Sequence, residues 1–162
     1  MLCSSPRPIP ILAAELGWAM SAGDKVRLFD INVPPPEKGG IFDRIPGGQT
    51  ERAKRSVQLI SKLERGYLNN HGRIFSKWIA HLLSTDFSPQ IVKAVNEFVR
   101  HVGAENDGWQ KRYAQKFGLI YAAMELGVNL GLLPWSEVLP LKVATKCFDC
   151  SPILNFEYDW FA

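Results

Sequence analysis

The stretch Gly23-Asp24-Lys25-Val26-Arg27-Leu28-Phe29-Asp30-Ile31 constrains the fold of this chain more than any other. Strand side chains alternate, so Val26 and Leu28 point to one face while Arg27, Phe29 and Ile31 point to the other. Apolar groups on both faces predict a short strand over residues 25–32, buried on both sides, and one strand cannot bury itself. Almost everything after residue 50 reads as helix. The strand therefore asks for a sheet that the rest of the chain does not obviously supply. The expected fold class is mostly α, with this β element followed by a C-terminal helical bundle.

A length of 162 residues favours one domain, and 46% hydrophobic with 22% charged residues argues against wholesale disorder. The net charge of +3 permits an acidic partner such as DNA without requiring one. Three cysteines do not make a disulfide framework, so the expected compartment is reducing and cytoplasmic. The apolar run from Ile9 to Ala22 ends in small residues, as an export signal does, but Glu15 interrupts it and Arg7 is its only basic lead. The run from Phe117 to Trp135 carries Glu125, Asn129 and glycines, where a membrane span wants ~20 uninterrupted apolar residues. A buried core helix is expected there, and no membrane contact.

Residues 1–10 are rich in proline and serine, and Ile11 to Met20 suits a short helix. Pro34-Pro35-Pro36 stops the strand, since proline cannot continue a ladder, and residues 33–49 read as an exposed loop. Thr50 is a candidate N-cap for a helix to Tyr67 with the stripe Ala53, Val57, Ile60, Leu63 and Tyr67. A helix carrying Ile74, Phe75, Trp78, Ile79 and Leu82 follows Asn69-Asn70-His71-Gly72. Ser88-Pro89 opens a third, with Ile91, Val92, Val95, Phe98, Val99 and Val102 on its face. The longest helix runs from Asn106 to Leu130, its core side set by Trp109, Tyr113, Phe117, Ile120 and Met124, and Gly131 stops it. A last helix, with Pro140 early in it, carries Val138, Leu141, Val143, Ala144 and Cys147.

No Gly-x-x-x-x-Gly-Lys-Ser/Thr loop, Gly-x-Gly-x-x-Gly, Gly-x-Ser-x-Gly or His-Glu-x-x-His occurs, so a self-contained nucleotide hydrolase is not expected. Cys147-Phe148-Asp149-Cys150 is a Cys-x-x-Cys, but it ends a helix, where the dipole opposes a thiolate. No second pair completes a zinc site, and no metal is expected. His81 and His101 fall late in their helices, where a cation suits the dipole. Arg52, Arg55, Lys62 and Arg65, with Lys54 nearby, form a basic helical face that is either a solvated surface or a nucleic-acid contact. Arg27 lies in an apolar strand, where an unpaired guanidinium is costly. Either it pairs with Asp24, Asp30 or a neighbouring element, or it is an anion-binding arginine at a site edge.

Three blocks of this sequence together resemble a known family. The first is Ala22-Gly23-Asp24-Lys25-Val26-Arg27-Leu28-Phe29-Asp30-Ile31 followed by Gly40-Ile41-Phe42-Asp43. The second runs from Tyr67 through Gly72 to Phe75. The third joins Tyr113-Ala114-Gln115-Lys116-Phe117, Ala122-Ala123-Met124-Glu125-Leu126, Gly131-Leu132, Trp135 and Cys147-Phe148. In order and spacing they resemble the bacterial domain-of-unknown-function family 927 over roughly residues 11–148. Members of that family look like helicase-like P-loop ATPases of phages, plasmids and integrative elements. The resemblance implies that this chain matches their C-terminal portion only, with the phosphate-binding loop and acidic magnesium site upstream. The family's Ser/Thr-Gly-Glu before the strand is replaced by Cys3-Ser4-Ser5-Pro6-Arg7, and Ser151 to Phe156 does not align.

Under that resemblance residues 1–49 are the end of a truncated P-loop, RecA-like core, residues 50–150 a helical subdomain and residues 151–162 an irregular tail. ATP and magnesium belong to a complete member, and this chain alone is expected to need neither. Arg27 becomes the candidate phosphate-contacting residue. Its partners are the upstream ATPase half or a neighbouring subunit, and DNA through Arg52, Arg55, Lys62 and Arg65. The alternative is a non-enzymatic helical module that binds nucleic acid or a protein partner.

Overall fold

The computed structural model describes residues 7, 9–21, 23, 24, 31, 33, 35, 38, 40–42, 44–106 and 108–151. These residues are mostly helical. The six helices are α1 (Ile9–Glu15), α2 (Gln49–Asn70), α3 (Arg73–Ser84), α4 (Ser88–His101), α5 (Gly108–Asn129) and α6 (Leu139–Asp149). They fall into two compact units, Met1–Ile31 with Asp86–Ala162, and Asn32–Thr85.

In the first unit α5 is central, with α4 and α6 packed against it. Tyr113 and Phe117 of α5 are fully buried and meet Phe148 of α6, whose ring stands edge-on to Phe117 at 5.6 Å between centroids. Phe98 of α4 completes the cluster, stacked on Tyr121 at 5.9 Å and edge-on to Phe148 at 6.0 Å. Offset and edge-on geometries set the positive ring edge against a negative face. The Tyr113 hydroxyl is hydrogen-bonded to that of Ser151, so the polar tip of the most buried ring is satisfied.

Small residues let the helices approach. A Cβ added at Gly118 would lie 3.1 Å from the Val95 carbonyl oxygen and 3.2 Å from the Val95 Cα. Glycine at 118 therefore sets how closely α4 and α5 cross, helped by buried Ala114, Ala122 and Ala94. The core side of α5 is wider than the expected stripe. Tyr113 and Phe117 lie in it, but Ile120 is 45% exposed and Tyr121 is buried instead. A helix with neighbours on two sides buries two adjoining rows, and a single row of large residues marks only one of them.

The punctuation is close to that expected. Gly131, at φ 65°, follows α5, with the Leu132 N–H bonded to the Gly127 carbonyl and the Gly131 N–H to that of Val128. This is the paired-bond ending that only a left-handed residue completes. Pro140 is tolerated in the first turn of α6, where its missing N–H has no helical partner. At α4 the cap is shifted by one residue. Phe87, not Ser88, is the N-cap, because Asp86 accepts the Ser88 N–H at 2.9 Å. These bonds from Ser88, through its side chain first and its backbone second, hold the Asp86 carboxyl below the usual carboxylate range.

The expected strand is not found among the described residues. Residues 25–30 and 32 lie outside them, Arg27 included, and Ile31 is exposed and not in a strand. Just before it, at the expected turn, Gly23 and Asp24 are helical. The Ser21 N–H donates to Asp24 Oδ2 at 3.0 Å, and the Asp24 N–H to Ser21 Oγ at 3.2 Å. This reciprocal pair is a helix-start device, so Ser21-x-x-Asp24 is a cap where a Gly-Asp turn was expected. α1 also differs from the expected Ile11–Met20 helix. It begins at Ile9 and ends at Glu15, where the Trp18 N–H turns back to the Ala13 carbonyl at 2.8 Å.

Candidate functional site

The second unit buries little. Among its described residues only Ile45 and Ser56 are buried, and Ser56 is the one buried residue of the 22 in α2. Its loop is fastened to α2 on the Ser56 side. A Cβ at Gly40 would stand 3.2 Å from Ser56 Oγ, and Arg55 Nη1 donates to the Pro46 carbonyl at 3.1 Å. α2 starts at Gln49 behind Gly48, two residues ahead of the helix expected after Thr50, and breaks from α3 at His71-Gly72.

The apolar stripes read from the sequence are present on both helices, and they face solvent. On α2, Val57, Leu59, Ile60, Leu63, Tyr67 and Leu68 are exposed, Tyr67 to 72%. On α3, Ile74, Phe75, Ile79, Leu82 and Leu83 are exposed, Phe75 to 71% and Leu83 to 83%. Together these side chains offer on the order of 1,000 Å² of surface, well above the few hundred Å² of a chance apolar patch. Sequence periodicity identifies a stripe but not what covers it, so these residues read as core.

One polar residue interrupts the α2 stripe. Ala53, Val57, Ile60, Glu64 and Tyr67 recur at alternating intervals of four and three, the seam spacing of paired helices. Glu64 holds a seam position, and its side chain has no hydrogen-bond or ion-pair partner among the described residues. The interval pattern was the available signal for Glu64, which the list of apolar positions passes over.

The basic residues lie on the same helix. Arg52, Arg55, Lys62 and Arg65 are all exposed. Arg55 is engaged with Glu51 at 2.9 Å as well as with Pro46, and Arg65 Nε donates to the Ser61 carbonyl at 3.2 Å. The side chains of Arg52, Lys54 and Lys62 have no partner among the described residues. Arg27, the candidate phosphate contact, lies outside the described residues.

The remaining candidates are dispersed. Cys147 is half-buried and Cys150 exposed, and neither is in a disulfide. Among the described residues no three His, Cys, Asp or Glu side chains stand together as metal ligands. His81 and His101 do occupy the last turns of α3 and α4. A groove between α4 and α5, lined by Phe87, Ile91, Glu125, Leu126 and Asn129, encloses about 200 Å³. That is below the ~300–1,000 Å³ of ordinary small-molecule sites. Glu125 there accepts a 2.5 Å hydrogen bond from the Tyr121 hydroxyl, whose pKa is raised by burial first and by Glu125 second. No described helix is long and apolar enough to cross a membrane.

Comparison with protein-family models, with curated proteins and with solved structures finds no match to this chain.

Proposed function

We propose that this chain is a non-catalytic helical module that docks a partner protein on the apolar stripes of α2 and α3. The observation that carries this reading is the run of exposed apolar residues from Val57 to Leu83 on two consecutive amphipathic helices. Burying an apolar side chain contributes about 1.5–3 kcal/mol, so leaving so many in water is a large standing cost that a partner removes. The α4–α6 body has an aromatic core of its own.

The resemblance supplies a class for the partner: the ATP-dependent half of a helicase-like assembly of mobile elements, or a neighbouring subunit of one, in the cytoplasm. In that assembly ATP and magnesium bind the partner, and Arg27 contacts the phosphates. Arg52, Lys54 and Lys62, unpaired among the described residues, favour a second reading in which α2 contacts nucleic-acid phosphates.

A photo-reactive residue placed at Leu63, Phe75 or Lys62 separates the readings. Protein cross-links from Leu63 and Phe75, with few from Lys62, are expected in cells. Cross-links to nucleic acid from Lys62 and none to protein from the stripe would refute the docking reading and favour the second.

A further inference from the structure

We infer that the partner of the α2 stripe is a second copy of this chain, bound antiparallel, α2 against α2. This rests on the reading of α2 as a docking face and gives that face to a second copy, leaving the α3 stripe for the ATP-dependent partner. The first argument is charge. In a parallel pair in register the seam would set Glu64 against Glu64, two like carboxylates sharing one site. In an antiparallel pair the seam matches Val57 with the partner's Ile60, and Glu64 with the partner's Ala53. Ala53 is small and leaves room for the carboxylate. It is flanked by Arg52 and Lys54, both exposed and both without a side-chain partner among the described residues.

The same alignment carries Glu64 toward the N-terminal part of the partner's α2. Each copy makes the contact once in each direction, as a two-fold interface requires. One seam residue that is anomalous in the monomer thereby meets two cations that are also unengaged, twice per dimer.

The second argument is area. The five exposed apolar side chains on or beside the seam, Val57, Ile60, Leu63, Tyr67 and Leu68, present roughly 500 Å² per copy, so a pair buries at most about 1,000 Å² in total, the floor for a specific interface. The dimer is therefore expected to be concentration-dependent and to dissociate on dilution. α2 is about 33 Å long at 1.5 Å per residue, so in this register the two seams overlap from Ala53 to Glu64 and Tyr67 lies against the partner helix near its Thr50.

The test is sedimentation equilibrium of the full chain over a range of concentrations, with helicity followed by circular dichroism. The mass should rise from 18.2 kDa toward twice that value as concentration increases. Leu63→Asp should hold it at the monomer mass with helicity unchanged, because Leu63 is exposed in one copy. Glu64→Lys should weaken association by about ten-fold or more, since it reverses two equivalent contacts. Adding Arg52→Glu and Lys54→Glu to Glu64→Lys should recover most of that loss.

A wild-type chain that stays at 18.2 kDa throughout overturns the inference. So does association indifferent to Leu63→Asp, or a charge-swapped chain that keeps its helicity and recovers nothing. If the chain is monomeric while Leu63 cross-links to a different protein, the second copy is wrong and the docking reading stands. If Leu63 cross-links to no protein at all, both fall.

Discussion

Phe117→Ala tests whether α5 is the packing centre of the α4–α6 body. Phe117 is 1% exposed and touches two other buried rings, Tyr113 at 5.3 Å and Phe148 at 5.6 Å between centroids. Truncation removes the ring's transfer energy and leaves a cavity that three helices cannot close without losing other contacts. Buried Phe→Ala changes of this kind cost about 3–5 kcal/mol. With a urea m-value of about 1.5 kcal/mol per M, the midpoint should fall by about 2–3 M. The control is Ile120→Ala, three residues away on the same helix but 45% exposed. It gives up partial burial and gains alanine's helix propensity, so a net change within about 1 kcal/mol is expected. Urea titrations of both variants by circular dichroism decide the matter. Equal shifts, or an unmoved midpoint for Phe117→Ala, would refute the two-sided packing of α5.

Other outcomes follow from single contacts. Gly118→Val should destabilise the body by at least about 1–3 kcal/mol, because the new side chain meets the Val95 backbone, which cannot swing away, and a normal urea midpoint would contradict the close crossing of α4 and α5. Asp86 has a folded-state pKa below its ordinary value of 3.8, so its contribution is present above that value and lost as pH falls through the lowered one. Asp86→Asn should therefore remove a small part of the acid sensitivity of unfolding, and an unchanged stability-versus-pH profile would count against the cap. The purified chain should not hydrolyse ATP with magnesium, and turnover that follows the chain through purification would sink the docking-module reading.

Much of the helical part was legible in the sequence, because the signals that punctuate helices are local. Gly131, Pro140 and the break at His71-Gly72 stand where the residue types place them. At Ser88 the shift goes with Asp86, which accepts the Ser88 N–H itself and leaves Phe87 as the cap residue. Tyr113 and Phe117 were legible as core, whereas Tyr121 for Ile120 was not, since the number of neighbours around α5 is a tertiary property. The α2 stripe shows the same limit in sharper form. Spacing located Val57, Ile60, Leu63 and Tyr67 on one face, and nothing in spacing says whether that face meets protein or water. Ser21-x-x-Asp24 was a legible cap obscured by the Gly-Asp turn signal inside it.

The order in which α4, α5 and α6 pack has a kinetic consequence. Each contacts the helix adjacent to it in sequence, joined through residues 102–107 and 130–138. Chains dominated by such near-neighbour pairings have low contact order and fold in about microseconds to milliseconds. Under the proposed docking, α2 and α3, with almost nothing buried of their own, gain their protection on the slower clock of encounter with a partner. The two units should therefore mature at different times after synthesis. Amide hydrogen exchange pulsed during refolding would register α4–α6 as an early cooperative block and α2–α3 as a late, concentration-dependent one.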